Sequence, residues 1–411
     1  MPLLSKSLIL TGDVLKLAVK IPPEGKITQS SSIISNPVIV PINHYLPRIL
    51  MAVATLPLTL TSSIVLSERP IATNYRETSR LAQQNRQDYL RNLLDRGRKL
   101  VEIGEYQAAS QVYQQAARLD ADNPRIFSGI GYLEAQQGNY QAAAAAYQRA
   151  VNLAPNEAEF YYALGHTLAK IQEYSAATTA FYRATELAPE RASAYLGLGA
   201  VLLRQNDRAG AISIYEKLLT IKPDHPEANA ILGSLLVKQG DYTAAIAHLR
   251  KVTRIAPEKT SAWIDLSLAY QERGQFSRAL KTLETFLQRY PRQAKGYYQK
   301  GKLLQAYGQI KAAVSAYKRA VSLDSRPIEA LVALGELQLK QKQYLDAVVT
   351  YRRLTELVPD HPSIYYNLGL ALKGRDRVSE ARLAFQRAYQ LFTQEGNQEG
   401  KDRSQMQLRT L

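Results

Sequence analysis

The chain has 411 residues, 46% of them hydrophobic and 21% charged, which describes a folded chain and excludes a disordered one. It has no cysteine, so disulfides, thiolate zinc sites, iron–sulfur clusters and cysteine nucleophiles are excluded, while the cellular compartment is left open. The formal net charge of +16 favours an anionic partner, and most of the excess, +11, lies on residues 90–395.

Residues 1–47 contain Pro-Pro, Ser-Ser-Ser and Asn-Pro without a strong helical period, and they read as irregular or disordered. Residues 48–67 form a candidate membrane anchor or signal-like segment. Within it the chain runs from Ile49 to Leu66 (ILMAVATLPLTLTSSIVL) without a charge, at the lower edge of the length that spans a bilayer. The apolar run starts too far along the chain for a cleaved signal peptide, so an uncleaved anchor fits better. Lys6, Lys16, Lys20, Lys26 and Arg48 precede the run and Arg69, Arg76 and Arg80 follow it, a charge balance that slightly favours the rest of the chain on the outer, periplasmic or envelope side; the alternative is a cytoplasmic chain without membrane association. Residues 68–89 read as a polar linker or leading helix.

From residue 90 the sequence repeats. Gly-Glu-Tyr-Gln-Ala-Ala begins at Gly104, Gly-Asn-Tyr-Gln-Ala-Ala at Gly138 and Gly-Asp-Tyr-Thr-Ala-Ala at Gly240, separated by 34 residues and by three times 34. The frame they set gives nine units without an insertion, starting at 90, 124, 158, 192, 226, 260, 294, 328 and 362. Position 8 of the unit is glycine in eight of nine units, from Gly97 to Gly369, and Ser267 is the exception. Position 20 is alanine in all nine, from Ala109 to Ala381, and is expected to face the position 8 glycine across a close helix–helix contact. Position 24 is Tyr or Phe in seven units and position 4 is bulky in most, so large residues fill the space beside the small ones. Proline at position 32 in six units ends the second helix, with Ala121, Ser325 and Thr393 departing from the pattern.

This pattern of small and large residues over 34 positions resembles the tetratricopeptide repeat family across three quarters of the chain. The resemblance implies an all-α fold, a right-handed superhelix (α-solenoid) of paired antiparallel helices, each unit burying its apolar face against its neighbours. Residues 396–411 are expected to cap the end of the array. An apolar amino-terminal segment followed by nine repeats is also similar to the architecture of a processing-associated photosystem assembly factor, from which no manganese-binding residue carries over.

In this family the inner surface is lined by positions 2, 5, 9, 12 and 13 of the first helix. On these positions fall Tyr132, Tyr162, Tyr298 and Tyr366, whose amphipathic rings make good binding anchors, and His166 and Lys302 beside them. Position 13 places Lys170, Arg204 and Lys238 on three consecutive units, a basic row suited to an acidic ligand. These nine residues are the candidate peptide-binding set. The Lys and Asn of the family's carboxylate clamp, at positions 5 and 9, occur in none of the units, and neither does an Asn row at position 6, which argues against the chaperone-adaptor and sugar-transferase types.

His225 and His361 sit in equivalent Asp-His-Pro connections, where turn chemistry explains them, and His166 has no second ligand at metal spacing. No GxxxxGK[ST], GxGxxG or GxSxG motif occurs, so no cofactor, metal or catalytic set is expected. The expected function is a noncatalytic scaffold for a peptide or partner protein, in assembly of an envelope or membrane complex, with pilus or polysaccharide-export scaffolding as competing settings. RNA binding is the alternative, disfavoured because position 5 carries Leu, Ala, Ile or Val in five of nine units where base reading needs hydrogen-bonding side chains.

Overall fold

The computed structural model describes residues 71–411, with side chains from residue 77, all within one unit, Arg69–Leu411. The expected irregular segment and the candidate anchor lie outside the described residues. Nineteen α-helices follow in chain order: α1 Ile71–Glu102, α2 Tyr106–Leu119, α3 Pro124–Gln136, α4 Tyr140–Leu153, α5 Ala158–Lys170, α6 Tyr174–Leu187, α7 Ala192–Arg204, α8 Arg208–Ile221, α9 Pro226–Gln239 and α10 Tyr242–Ile255. They continue as α11 Thr260–Glu272, α12 Phe276–Arg289, α13 Ala294–Ala306, α14 Ile310–Leu323, α15 Ile328–Lys340, α16 Tyr344–Leu357, α17 Pro362–Lys373, α18 Val378–Gln394 and α19 Gln398–Arg409. Each odd-numbered helix packs on the even-numbered helix of its own unit and on that of the unit before, so the pairs stack into an α-solenoid with no strand among the described residues.

The stacking depends on where the glycines lie. A β-carbon at Gly131 would stand 2.8 Å from the Tyr147 ring, one at Gly165 2.9 Å from Phe181, and one at Gly199 2.4 Å from Tyr215. The position 8 glycine therefore makes room for the position 24 ring of its own unit, a closer partner than the position 20 alanine that the pattern suggests. The next unit approaches the same ring from the other side: a β-carbon at Gly129 would meet Tyr113 at 2.4 Å, and one at Gly197 would meet Phe181 at 2.7 Å. The nine alanines at position 20 are nonetheless fully buried. In the unit that lacks the glycine, the Ser267 hydroxyl donates to the Ala279 carbonyl at 3.1 Å, satisfying the polar atom within the contact.

Within every unit the turn between the two helices has one left-handed residue, at position 15. Five units use glycine (Gly104, Gly138, Gly240, Gly274, Gly308), and the others hold Gln172, Asn206, Lys342 and Asp376 at φ between 57° and 65°. The amide after it donates to the carbonyl five residues back, as from Asn139 to Glu134 at 2.9 Å and from Asp241 to Leu236 at 3.0 Å, which is the Schellman closure of a helix end. The Gly-x-Tyr motif that sets the repeat frame is thus a chain reversal followed by the first residue of the second helix.

Proline at position 32 is not needed to end the second helix in two of the three units that lack it. Where Ala121 and Ser325 replace it, α2 and α14 stop one residue before Asp120 and Asp324, whose carboxylates accept from the Asn123 side chain (3.0 Å) and the Arg326 amide (2.9 Å). Where Thr393 replaces it, α18 runs on to Gln394. At the front no proline or glycine separates residues 71–96, so the leading segment and the first helix of unit 1 are one continuous 32-residue helix, and residues 77–89 lie exposed along it. At the far end α19 takes the place of a tenth first helix. Its Gly400 packs on Phe392, and Lys373 of α17 donates to Gln407 (3.0 Å) and Thr410 (2.8 Å).

The two glycine classes are separable by substitution. Gly199→Ala, which drives a methyl into the Tyr215 ring, is expected to cost about 1–3 kcal/mol in urea unfolding. Gly138→Ala, where φ is +82° and nothing stands within 4 Å, is expected to cost about 1 kcal/mol from backbone strain alone. Gln172→Gly reverses that strain and is expected to raise the unfolding free energy in urea by about 0.5 kcal/mol once the entropy of glycine is set against it.

Candidate functional site

The first helices of the units line one face of the array, and their outward positions bring the candidate residues into three groups. The first lies across α1, α3 and α5, where Tyr132 joins Arg98, Glu102, Arg125, Ser128 and Glu159 around a cavity of about 460 Å³. Tyr113 and Tyr147, the wedge rings of units 1 and 2, form part of its lining. Burial raises the Tyr132 phenol above its ordinary pKa, with Tyr106 adding to the effect, so the ring stays neutral.

The second group lies across α13 and α15. Tyr298 and Lys302 here line a cavity of about 430 Å³ with Gln305, Glu336 and Lys340 at its rim and Ala306, Ile310, Ala333 and Leu337 as its apolar part. The Lys302 ammonium stands 5.9 Å from the centre of the Tyr298 ring, which itself tilts against Tyr317 at 5.9 Å. The Tyr317 hydroxyl donates to Gln305 at 2.8 Å, so the cavity wall is tied to the wedge ring beneath it. Burial raises the Tyr298 phenol, and Glu329 and Glu336 raise it further.

Between the cavities runs the basic row. Lys170 and Arg204 are the last residues of α5 and α7, and Lys238 lies in the last turn of α9. All three are exposed. Each cation meets the negative end of its helix dipole, which accounts for its place in the sequence without a ligand. The Lys170 ammonium also stands 6.0 Å from the Tyr140 ring. Lys238 has an acidic neighbour in Asp265, whose carboxyl is raised by burial and lowered in turn by a hydrogen bond from Ser234 and by the Lys238 charge. His166 is held below its ordinary pKa first by burial and then by Lys170, so it enters this row as a neutral ring at pH 7.

Tyr162 and Tyr366 stand apart from both cavities. Tyr162 packs against Phe181 at 5.9 Å and lies under the Arg191 guanidinium at 4.3 Å, with Arg191 in turn paired to Glu159. Tyr366 packs on Phe385 at 5.6 Å beneath Arg403 of the capping helix at 5.5 Å. One face of each ring is thus occupied by a cation of the chain itself.

Arg98, Arg125 and Lys340 are absent from the set chosen on sequence, although the same frame holds them at positions 9, 2 and 13. The repeat register does not single them out, because a cavity spanning two or three units mixes different positions of the repeat. His225 caps α9, its Nδ1 accepting from the Ala228 amide at 3.3 Å, whereas His361 precedes α17 without a side-chain capping bond. Among the described residues no group of three or more His, Asp or Glu side chains could hold a metal ion. Among them also, no helix is long and apolar enough to cross a membrane.

Models described as tetratricopeptide repeat match residues 94–158, 162–226, 236–300 and 294–327, and one described as TPR repeat matches 339–374. Together they cover more than half of the chain. A TPR repeat-containing protein of Picosynechococcus is 43% identical over 53 residues, which is 13% of this chain and 14% of the length of that relative. A tetratricopeptide repeat protein from Parabacteroides merdae aligns over 61% of this chain and 98% of its own at 15% identity, with a TM-score of 0.45. YrrB, described as a TPR protein with an unusual peptide-binding site, aligns over 44% of this chain and 94% of its own at 20% identity, with a TM-score of 0.39. Matching repeat models along an array of paired helices in constant register mean that the chain belongs to the tetratricopeptide repeat family.

Proposed function

We propose that the first-helix face binds an extended, acidic stretch of a partner protein, and that the chain serves as a noncatalytic scaffold in assembly of an envelope or membrane complex. The observation that carries the reading is the order of features along one face: a tyrosine cavity with Arg98 and Arg125, a basic row, and a second tyrosine cavity with Lys302 and Lys340.

Each part has a physical role. The cavities accept apolar or aromatic side chains against Tyr132 and Tyr298, where most of the affinity resides. The row of Lys170, Arg204 and Lys238 draws in the acidic segment and sets its direction. First helices of neighbouring units lie roughly 10 Å apart and an extended chain advances about 3.3 Å per residue, so each unit spans about three residues of ligand. A ligand reaching from one cavity to the other is then on the order of fifteen residues long. The uncharged run at residues 49–66 supports the membrane part of the reading, with the repeats on the periplasmic or envelope side.

Converting Lys170, Arg204 and Lys238 together to Glu is expected to abolish capture of partners by the tagged full chain in its native host while retaining the helical circular dichroism, with a loss of about 1–3 kcal/mol in urea unfolding because each carboxylate meets the negative end of its helix dipole. Capture that persists through this reversal would move the site off the basic row. Tyr298→Ala with Lys302→Ala is expected to weaken the same complex at least tenfold, roughly 1.4 kcal/mol. Protease added outside the inner membrane is expected to digest the repeats, and full protection in a soluble fraction would remove the membrane part of the proposal.

A further inference from the structure

The charge of the array is not spread evenly. Residues 226–327, units 5 to 7, hold seventeen Lys or Arg against seven Asp or Glu, a net +10 that is nearly the whole excess of the repeats. Much of it lies away from the groove. The second helices of these units, α10, α12 and α14, carry nine cations and a single acid, Glu284, which is paired with Lys300 of α13 at 2.8 Å.

The cations that matter sit on the outward stripe. Arg250, Arg254, Arg278, Lys281, Lys311 and Lys318 are all exposed, and of these only Lys318 closes an ion pair within 4 Å, with Asp346 at 3.6 Å. Short residues fill the stripe between them, among them Ala247, Ser277 and Ser315. Second helices of successive units lie side by side, roughly 10 Å apart, and each is 14 residues long. The result is a two-dimensional field of exposed cations about 20 Å on each side, standing above a low, hydroxyl-bearing surface.

The geometry points to a second binding surface, on the side opposite the groove: the outer face of α10, α12 and α14 docks on an anionic membrane surface. A field of charges in two dimensions matches a layer of headgroups better than a line of phosphates. The outward stripe of these three helices contains no exposed aromatic ring on which unpaired bases would stack, which disfavours single-stranded nucleic acid. Attraction of Lys and Arg to anionic lipid accumulates with each residue near the surface and dies away within a Debye length. Electrostatic docking of this kind is reversible, and becomes firm when a second, apolar signal accompanies it. The uncharged run at residues 49–66 is such a signal in the same chain. Docked in this way, the array turns its groove away from the lipid and toward a partner.

The test is flotation of the full chain with vesicles of phosphatidylcholine alone and of phosphatidylcholine with one third phosphatidylglycerol, at low and high salt. The apolar run contributes equally to both vesicle types, so the ratio between them reads the basic face. The unaltered chain is expected to prefer the anionic vesicles at least tenfold at low salt and to lose the preference at high salt. Arg250→Gln, Arg254→Gln, Lys281→Gln and Lys311→Gln together are expected to remove it, while exchange of the same four between Lys and Arg retains it. The groove variant at Lys170, Arg204 and Lys238 is expected to keep the vesicle preference, and the outer-face variant to keep partner capture, so the two sites fail separately. Equal binding to both vesicle types, a preference that survives the four substitutions, or displacement from anionic vesicles by duplex nucleic acid at matched phosphate concentration would overturn the assignment.

Discussion

The structure depends on one contact: an aromatic ring at position 24 clamped between the first helix of its own unit and the first helix of the next. Tyr113 is touched by Gly97 and Gly129, and Phe181 by Gly165 and Gly197, so each ring joins two units through two helix surfaces that have no β-carbon in the way. A ring in this place buries a large apolar area where interiors tolerate neither a void nor an extra methyl. Because each unit supplies the position 24 side chain that the next unit covers, a ring in seven of the nine, the array is continuous from α1 to α19 and its ends require caps. The units without the full arrangement show what is tolerated. Leu249 replaces the ring beside Gly233, and Ser267 replaces the glycine beside Leu283 and returns its hydroxyl to a backbone carbonyl.

That contact also governs the two faces. With the wedge ring behind them, first helices present positions 2, 5, 9 and 13 to one side of the array, and second helices present their outward stripe to the other. The clamp leaves the outward positions free to vary, and charge has collected unevenly upon them. In units 3 to 5 cations occupy helix ends on the groove side, where they also meet the helix dipole. In units 5 to 7 they dominate the outer side. The cations of the two faces thus belong to different helices and largely to different units.

The polar residues inside the array follow the same economy. Asn229 replaces the usual ring at position 4 and is fully buried, yet its amide donates to the Pro223 and His225 carbonyls at 2.9 Å and its oxygen meets His248 at 2.9 Å. Trp263 at the next position 4 sends its indole N–H to the Pro257 carbonyl at 2.8 Å. Both side chains reach the carbonyl of the position 32 proline, in the turn that follows the preceding second helix. Position 4 thus ties one unit to the turn before it, by packing or by hydrogen bond.

The sequence by itself determined the unit length and the number of units, and the family resemblance those repeats carry implied the pairing of helices and the positions that face the groove, because a repeat with no insertions places every residue of one kind in the same surroundings. Tyr132, Tyr298 and Lys302 could be chosen from that register alone. Only the tertiary structure decided which chosen residues share a cavity, since a cavity combines position 9 of one unit with position 2 or 13 of another. It also decided that Arg191 covers Tyr162 and that Arg403 of the cap covers Tyr366, both contacts made from outside the first helix that carries the ring. The left-handed residue at Gln172 or Lys342 could not be read locally either, for neither side chain favours it. The neighbouring units impose the reversal there, and the energy of stacking exceeds the strain of a single residue.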